Sequence, residues 1–360
     1  MNHIAMAAAI GLGCHTFAVA QTSQVKTAGN WEFYGRAHLS VDQLDNGAVY
    51  DRTNVSSNSS RLGFRGDKQF GSLRGFWQIE SEVMFSKTSD SSATQDDKNR
   101  LATRDTFAGI EGRFGNVRFG KFDTPMKAAR EAANLFGDQL GDMRNITRAG
   151  ARFDERPNNL IQYQSPAMNG FRLALAYAPH EGTTAVTDAA TGVETKNAMT
   201  SGSLTYTGTD LVAALAFEDY EKNASAGDRK ATRLAVSYRV IPSLRLVGFY
   251  QDAKAVVSGV NEGSKVTGFG AEYQLVPNEY VLRAHMFDRK ADKANADSTL
   301  YAVGVESIIS RELRLYANYG TVDNDASARV VPWAEGRTAN AAGANGKTAR
   351  GFSVGMIYNF

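Results

Sequence analysis

The sequence predicts an all-β chain, a transmembrane antiparallel β-barrel of about sixteen strands, and three observations carry that prediction. First, the last ten residues, Gly351 to Phe360, alternate. Phe352, Val354, Met356, Tyr358 and Phe360 fall on one face of an extended strand, and Gly351, Ser353, Gly355, Ile357 and Asn359 on the other, because strand side chains point to opposite sides in turn. One face is apolar; the other, Ile357 aside, is small or polar. An ending on an aromatic residue without a polar tail suits a strand whose outside meets lipid. Second, Asn30 to Leu44 sets Trp31, Phe33, Gly35, Ala37, Leu39 and Val41 against Glu32, Tyr34, Arg36, His38, Ser40 and Asp42. Such a strand, greasy on one side and ionic on the other, is long enough to cross a bilayer obliquely. If the first and last strands pair, the sheet closes and leaves no edge. Third, no run of about eighteen apolar residues follows residue 20, so a membrane-spanning chain would have to be a barrel.

Taken in order, residues 1–20 read as a secretory signal and 21–360 as one barrel domain. Ile4 to Gly13 is an apolar run too short to span as a helix, and Ala18, Val19 and Ala20 supply the small-x-small pattern before a cut at Gln21. Cys14, the sole cysteine, lies in that segment. Gly11 stands where a lipobox wants an aliphatic residue, so Cys14 reads as part of a discarded peptide and the exported chain would hold no disulfide. Lys+Arg 40 against Asp+Glu 38 gives a net charge of +2, which argues against a general nucleic-acid or polyanion binder. Abundant Gly (34) and scarce Pro (7) suit many strands and tight turns.

From Trp31 onward the rhythm is strand, short turn, strand, longer polar loop. Short turns fall at Lys68 to Ser72, Gly112 to Asn116, Pro166 to Gly170, Thr207 to Asp210, Ile241 to Ser243, Val276 to Asn278 and Ile309 to Arg311, built from the residues that tight hairpins need. Longer connections run from about Asp45 to Asn58, Ser86 to Thr103, Asp123 to Pro157, Pro179 to Asn197, Asp219 to Arg229, Ala255 to Lys265, Asp288 to Asp297 and Val322 to Lys347. Short on one rim and long on the other is the asymmetry of outer-membrane barrels. Leu73 to Phe85 and Val266 to Leu275 alternate cleanly, whereas Leu211 to Phe217 and Leu244 to Tyr250 are apolar on both faces and period cannot orient them. Phe70, Phe114, Tyr163, Phe171, Tyr206, Tyr238, Tyr273, Tyr280 and Phe360 cluster beside the short turns, as a lower aromatic girdle would.

The connection Asp123 to Pro157 stands apart. Thr124 can cap a helix, Pro125 suits its first position and Gly137 can end it. A long connection with structure of its own is usually functional. Folded inward, its Met126, Leu135 and Phe136 would be buried against the wall.

The inward face of the early strands is basic. Arg36, Arg61, Arg65, Arg74 and Arg118 occupy positions away from lipid, where a permanently charged guanidinium meets water. Arg36 and Arg65 are expected near mid-height, Arg74 and Arg118 closer to a short turn, with Glu80 or Glu82 as partners. Basic groups on one wall opposite loop carboxylates would set up a transverse field, and Arg patches favour anions.

The blocks FYGRAHLSVD, SSRLGFRGDKQFG leading to FWQIE, FAGIEGRFGNVRFGKFDTP, LFGDQLGD and the closing strand resemble the Gram-negative general porins, most closely their beta-proteobacterial branch, over essentially the whole exported chain. The resemblance implies a sixteen-stranded, homotrimeric outer-membrane barrel with its third long loop folded into the lumen. It implies contact with outer-membrane lipids and lipopolysaccharide, passage of small hydrophilic solutes and inorganic ions, and no cofactor. That third loop corresponds to Asp123 to Pro157, and the second, Ser86 to Thr103, would latch neighbouring subunits. The family's constriction loop usually carries excess carboxylate. Here Asp123, Glu131, Asp138, Asp142, Asp154 and Glu155 are balanced by Lys127, Arg130, Arg144, Arg148, Arg152 and Arg156, and a weak anion preference is expected.

Enzymatic readings find little support. His38, His180 and His285 are the histidines outside the signal segment, no HExxH occurs, and Gly351 to Gly355 (GFSVG) matches GxSxG only within the alternating closing strand, without the strand-to-helix elbow that the motif requires. Ala341 to Thr348 imitates a phosphate loop without the strand-to-helix context. Gly268 and Gly270 lack the helix of a dinucleotide fingerprint. Asp323 and Asp325 could touch calcium, yet no twelve-residue ligand loop follows. The rivals are a substrate-specific channel, for organic acids or sugars, and a soluble secreted β protein, which the apolar-out, charged-in alternation disfavours.

Overall fold

The computed structural model describes residues 29–85, 104–180, 198–221, 228–257 and 259–360. The expected signal segment, its cleavage site and the second long loop lie outside them. The strand segments are β1 (Asn30–Asp45), β2 (Asp51–Ser57), β3 (Arg61–Phe70), β4 (Leu73–Glu82), β5 (Thr106–Gly112), β6 (Gly115–Lys121), β7 (Leu160–Gln164), β8 (Phe171–Ala178) and β9 (Met199–Thr207). They continue as β10 (Leu211–Tyr220), β11 (Asp228–Ile241), β12 (Leu244–Val257), β13 (Val260–Asn261), β14 (Ser264–Val276), β15 (Tyr280–Ala291), β16 (Ser298–Ile308), β17 (Leu313–Asn324) and β18 (Ala349–Asn359). All belong to one antiparallel sheet.

The sheet closes where the alternation predicts. Strand β18 pairs with β1, Leu39 opposite Met356 and Val41 opposite Val354. The seam ends in a reciprocal pair of bonds, Gly35 N–H to the Phe360 carbonyl at 2.8 Å and Phe360 N–H to the Gly35 carbonyl at 3.0 Å. Phe352, Val354, Tyr358 and Phe360 are exposed on the outside, Met356 partly so, and Gly351 and Ser353 are buried inside.

The segments make sixteen crossings. Strands β2 and β3 lie end to end along the two halves of β1 and count as one, and β13 is a two-residue hairpin tip between β12 and β14. The long connection expected over Asp45 to Asn58 is therefore mostly strand. The second crossing breaks at Asn58–Ser60, where Ser59 takes a φ of +53° and His38 donates its N–H to Ser60 Oγ at 2.9 Å. All seven short turns fall where expected. The aromatics named as a lower girdle sit at that rim, exposed except for Tyr206, which is half-buried.

Strands that period could not orient resolve by what covers them. Leu211, Leu215 and Phe217 of β10 and Leu246 and Tyr250 of β12 face outward, while Val212, Ala214, Ala216, Val247 and Phe249 are buried inside. Their inner face is apolar because the connection between β6 and β7 lies on it. The apolar core thus sits inside the barrel, between that segment and the inner face of β8 to β17.

Candidate functional site

Residues 122–159 leave β6, cross the interior and return to β7. Helix α1 (Pro125–Ala129) starts as the sequence predicts, with Thr124 Oγ1 accepting from Lys127 N–H at 3.2 Å and proline in its first turn. The expected stop at Gly137 does not hold. The helix gives way to a 3-10 turn over Arg130–Ala132, and the chain turns at Asp138 and Gly141, both at positive φ. A second short helix, α2, covers Arg144–Thr147.

Met126, Phe136, Met143 and Ile146 are fully buried and Leu135 nearly so, each contributing about 1.5–3 kcal/mol to docking by removing apolar surface from water. Polar posts on the wall fix the register. Met126 N–H donates to Ser201 Oγ at 3.1 Å. Arg233 donates to the Met126 carbonyl at 2.8 Å, to Asp154 at 2.5 Å and to Gln251 at 2.6 Å. Gln251 reaches the Thr147 carbonyl at 2.8 Å, His285 Nε2 the Gly141 carbonyl at 2.8 Å, and Asn318 the Gln139 side chain at 2.8 Å. Gly270 lets the loop approach, since a Cβ there would stand 2.8 Å from a Leu135 methyl.

Most of the loop's charges neutralise one another. Asp123 holds Lys127 at 2.9 Å and Arg156 at 2.8 Å. Arg130 meets Glu131 at 2.9 Å, and Arg144 meets Asp138 and Asp142, each at 2.5 Å. Arg148 and Arg152 share Glu155. Burial lowers Lys127 to about 8 although Asp123 opposes the shift. Burial would raise Asp123, but Arg156, Lys127 and Arg130 hold it below the usual carboxylate range. Asp138 is the loop carboxylate that senses the opposite wall. Burial would raise it, yet Arg144, Arg104 and Arg61 hold it well below its ordinary value.

On that wall, Glu80 gathers Tyr34 at 3.0 Å, Arg104 at 2.8 Å and Arg61 at 3.5 Å. Arg36 stands directly across the strand pair from Arg61 and donates Nε to the Asn359 amide oxygen at 2.8 Å. Arg65 pairs with Glu32, three residues into β1, so it lies nearer the short-turn rim than the expected mid-height. Arg74 is bound to Glu111 through Nε at 2.9 Å. Arg118 stacks 4.0 Å over the Phe122 ring and bonds Gln162 at 3.4 Å. Arg74 and Arg118 thus belong to the lower wall, Glu82 is exposed near the far end of β4, and the group facing the loop tip is Arg36, Arg61 and Arg104 with Glu80.

Sequence reasoning missed Arg104, the wall posts Ser201, Arg233, Gln251, His285 and Asn318, and the segment 325–348. An isolated polar residue at an inward position of an otherwise alanine- and valine-rich face was the available signal for the posts. Segment 325–348 also enters the lumen. Its Trp333 is fully buried, Arg337 forms an ion pair with Asp42 in which neither side chain is exposed, and Glu335 pairs with Arg148. The phosphate-loop imitation sits there, outside any strand-to-helix turn. Gly268 makes room for the Phe287 ring, Asp323 accepts from Thr348 at 2.9 Å, and no metal-ligating cluster occurs among the described residues.

A family model described as Gram-negative porin matches residues 5–327. The outer membrane porin protein 32 of Delftia acidovorans is 28% identical over 320 residues, covering 84% of this chain and 85% of that one. Among solved structures, an anion-selective porin from Comamonas acidovorans superposes with a TM-score of 0.76 at 21% identity, covering 92% of this chain and all (100%) of that one. OmpT of Vibrio cholerae, in a trimer form, gives 0.65 at 18%, covering 93% and 100%. At such identities the two structures speak for the fold.

Proposed function

We propose a weak anion preference for the channel formed by this chain, which belongs to the Gram-negative porin family. As a member of that family it is an outer-membrane channel, and small hydrophilic solutes and ions cross its water-filled barrel down their gradients. No energy input or cofactor enters this reading. The inward loop 122–159 sets the size limit, with Asp123, Lys127, Arg130, Glu131, Asp138, Asp142 and Arg144 forming its charged edge. Arg36, Arg61 and Glu80 line the wall facing the loop tip, and Arg65, Arg74 and Arg118 line the pore wall closer to the short turns.

The anion preference rests on one observation. Arg36 and Arg61 stand side by side across the strand pair, where like charges repel, and the bond that Arg36 makes is to an amide rather than a carboxylate. Loop carboxylates, meanwhile, are mostly paired with loop arginines, Glu131 with Arg130 and both Asp138 and Asp142 with Arg144. A surplus of fixed positive charge in a narrow wet passage attracts anions. The Comamonas relative, itself described as anion-selective, supports the same sign.

A homotrimer is the accompanying proposal, supported by the family and by a neighbour described in trimer form. Export by a cleaved amino-terminal signal, contact with lipopolysaccharide, and a role for Phe352, Val354, Met356, Tyr358 and Phe360 in barrel assembly belong to it too. The test is a reversal potential across a salt gradient in planar bilayers. Wild type is expected to show modest anion preference and Arg36→Gln a clearly smaller one, with conductance appearing in groups of three; cation preference in wild type would overturn the reading.

A further inference from the structure

We infer that segment 325–348 is a second constriction element, a strap that ties the tip of the inward loop to strands β1 and β2 and so sets the width and charge of the passage. The inference rests on the channel reading above and assigns positioning residues to it. Two sets of contacts carry it, one at each end of the strap.

Toward the wall, Arg337 pairs with Asp42 and donates to Ser40 Oγ at 3.2 Å. Thr338 N–H donates to the Ser57 carbonyl at 3.1 Å, Ser57 N–H donates to Thr338 Oγ1 at 2.9 Å, and Ala339 N–H donates to Ser56 Oγ at 3.1 Å. Toward the loop, Gly141 N–H donates to the Pro332 carbonyl at 2.7 Å and Glu335 N–H to the Asn145 side chain at 2.9 Å, while the Glu335 carboxylate takes Arg148. Between the two ends, Gly336 is pressed on the loop tip: a Cβ there would stand 2.5 Å from Asp138 Oδ1 and 2.8 Å from Arg144 Nη2. Its φ of +73° also favours glycine. Val331, Trp333 and Ala339 bury themselves with Leu44, Leu140 and Ala349, an apolar cluster separate from the two beneath the loop.

The strap therefore fixes a distance the wall posts leave open. Those posts hold the loop against the inner face of β8 to β17; the strap decides how far its tip stands from Arg36 and Arg61. Asp138 is the carboxylate it positions, so it sets selectivity together with size.

The experiment compares wild type with Arg337→Ala and Glu335→Ala, which cut the strap at opposite ends. Each is refolded and recorded in bilayers, and liposome swelling gives the sugar size limit. Either variant that assembles is expected to conduct more, by roughly a factor of two for the wider passage, to admit larger neutral sugars and to show a changed anion preference. A change in folding yield alone would not move the last of these. As a second measurement, Ser56→Cys/Thr338→Cys places two thiols where the native side-chain oxygens are 3.5 Å apart. In the folded channel, with dissolved oxygen and a copper catalyst as oxidant, the pair should form a disulfide and leave conductance at the wild-type level. Failure of that bridge to form, or strap variants matching wild type in conductance, size limit and selectivity, overturns the inference while leaving the channel intact. A wild-type protein that conducts no ions sinks the channel reading instead.

Discussion

Asp154→Ala is the substitution from which the inward loop has most to lose. Neither side chain of the Asp154–Arg233 pair is exposed, so solvent does not screen it. Asp154 accepts from Arg233 at 2.5 and 3.2 Å, and Arg130 approaches only to 3.9 Å. Removing one partner of a buried pair leaves an uncompensated charge and costs about 3–5 kcal/mol. Here the stranded group is Arg233, which would still bond the Met126 carbonyl and Gln251 but would have lost its counter-ion. Because the loop supplies the carboxylate and the wall the guanidinium, the penalty falls on loop docking rather than on the sheet. It lowers the docked-to-released ratio by about 150- to 4,000-fold, at 1.4 kcal/mol per tenfold. Single-channel recording reads this as frequent transitions between conductance levels, against a steady wild-type trace, while the barrel still resists detergent. Replacing both partners, Asp154→Ala with Arg233→Met, removes the stranded charge and should restore only part of the steadiness, since the Met126 carbonyl and the Gln251 side chain then lose a buried donor. Steady recordings from Asp154→Ala at unchanged conductance would show that this pair does not hold the loop.

Three further outcomes follow. Lys127 loses its proton near pH 8 in the docked loop, against 10.5 for a free lysine. Between those values the released loop binds more protons than the docked one, so docking strengthens as pH rises while the passage loses a cation. Reversal potentials should therefore show weaker anion preference at pH 9 than at pH 6, and Lys127→Met should flatten the difference; an unchanged wild type counts against the assignment. Gly270→Val would drive a side chain into Leu135 and His285, an overpacking cost of about 1–3 kcal/mol, visible as looser loop docking and a lower melting temperature. Deleting Phe360 removes the reciprocal bonds to Gly35 and a ring 6.0 Å from Phe33. Folded yield in detergent, followed by heat-dependent gel mobility, should drop; an undiminished yield would mean the seam does not depend on its last residue.

Where one side of a strand meets lipid and the other meets water, period two is written into the sequence, as in Leu73 to Phe85 and in the closing strand. Both can be oriented from the sequence. The same rule failed on β10 and β12 for a physical reason: their inner residues Val212, Ala214, Ala216, Val247 and Phe249 meet protein rather than water. Apolar residues on both faces of such a strand are themselves the trace of a covering segment, which can be read once the loop is known to fold inward. The cap at Thr124 and Pro125 was legible because it is local. The posts that bind the loop were not, since Arg233, Gln251, His285 and Asn318 lie on four different strands and meet it only in the closed barrel. Nor was the pairing of Asp138 with the far wall, which depends on Arg104 and on the placement of segment 325–348. The upper part of the second crossing escaped because Asp45 to Asn58 reads as polar loop, whereas Asp51–Ser57 pairs with β1 and the break after it bonds His38 in the strand beside it and Tyr316 across the seam.

The posts have a consequence for how such a passage can change. Ser201, Arg233 and Gln251 lie behind the loop, where it screens them from any solute, yet they govern where its edge comes to rest. Permeability can thus be retuned from the blind side, by exchanges that leave every solute-contacting side chain as it was. A survey of variants confined to the visible mouth and throat would overlook the residues with the greatest leverage.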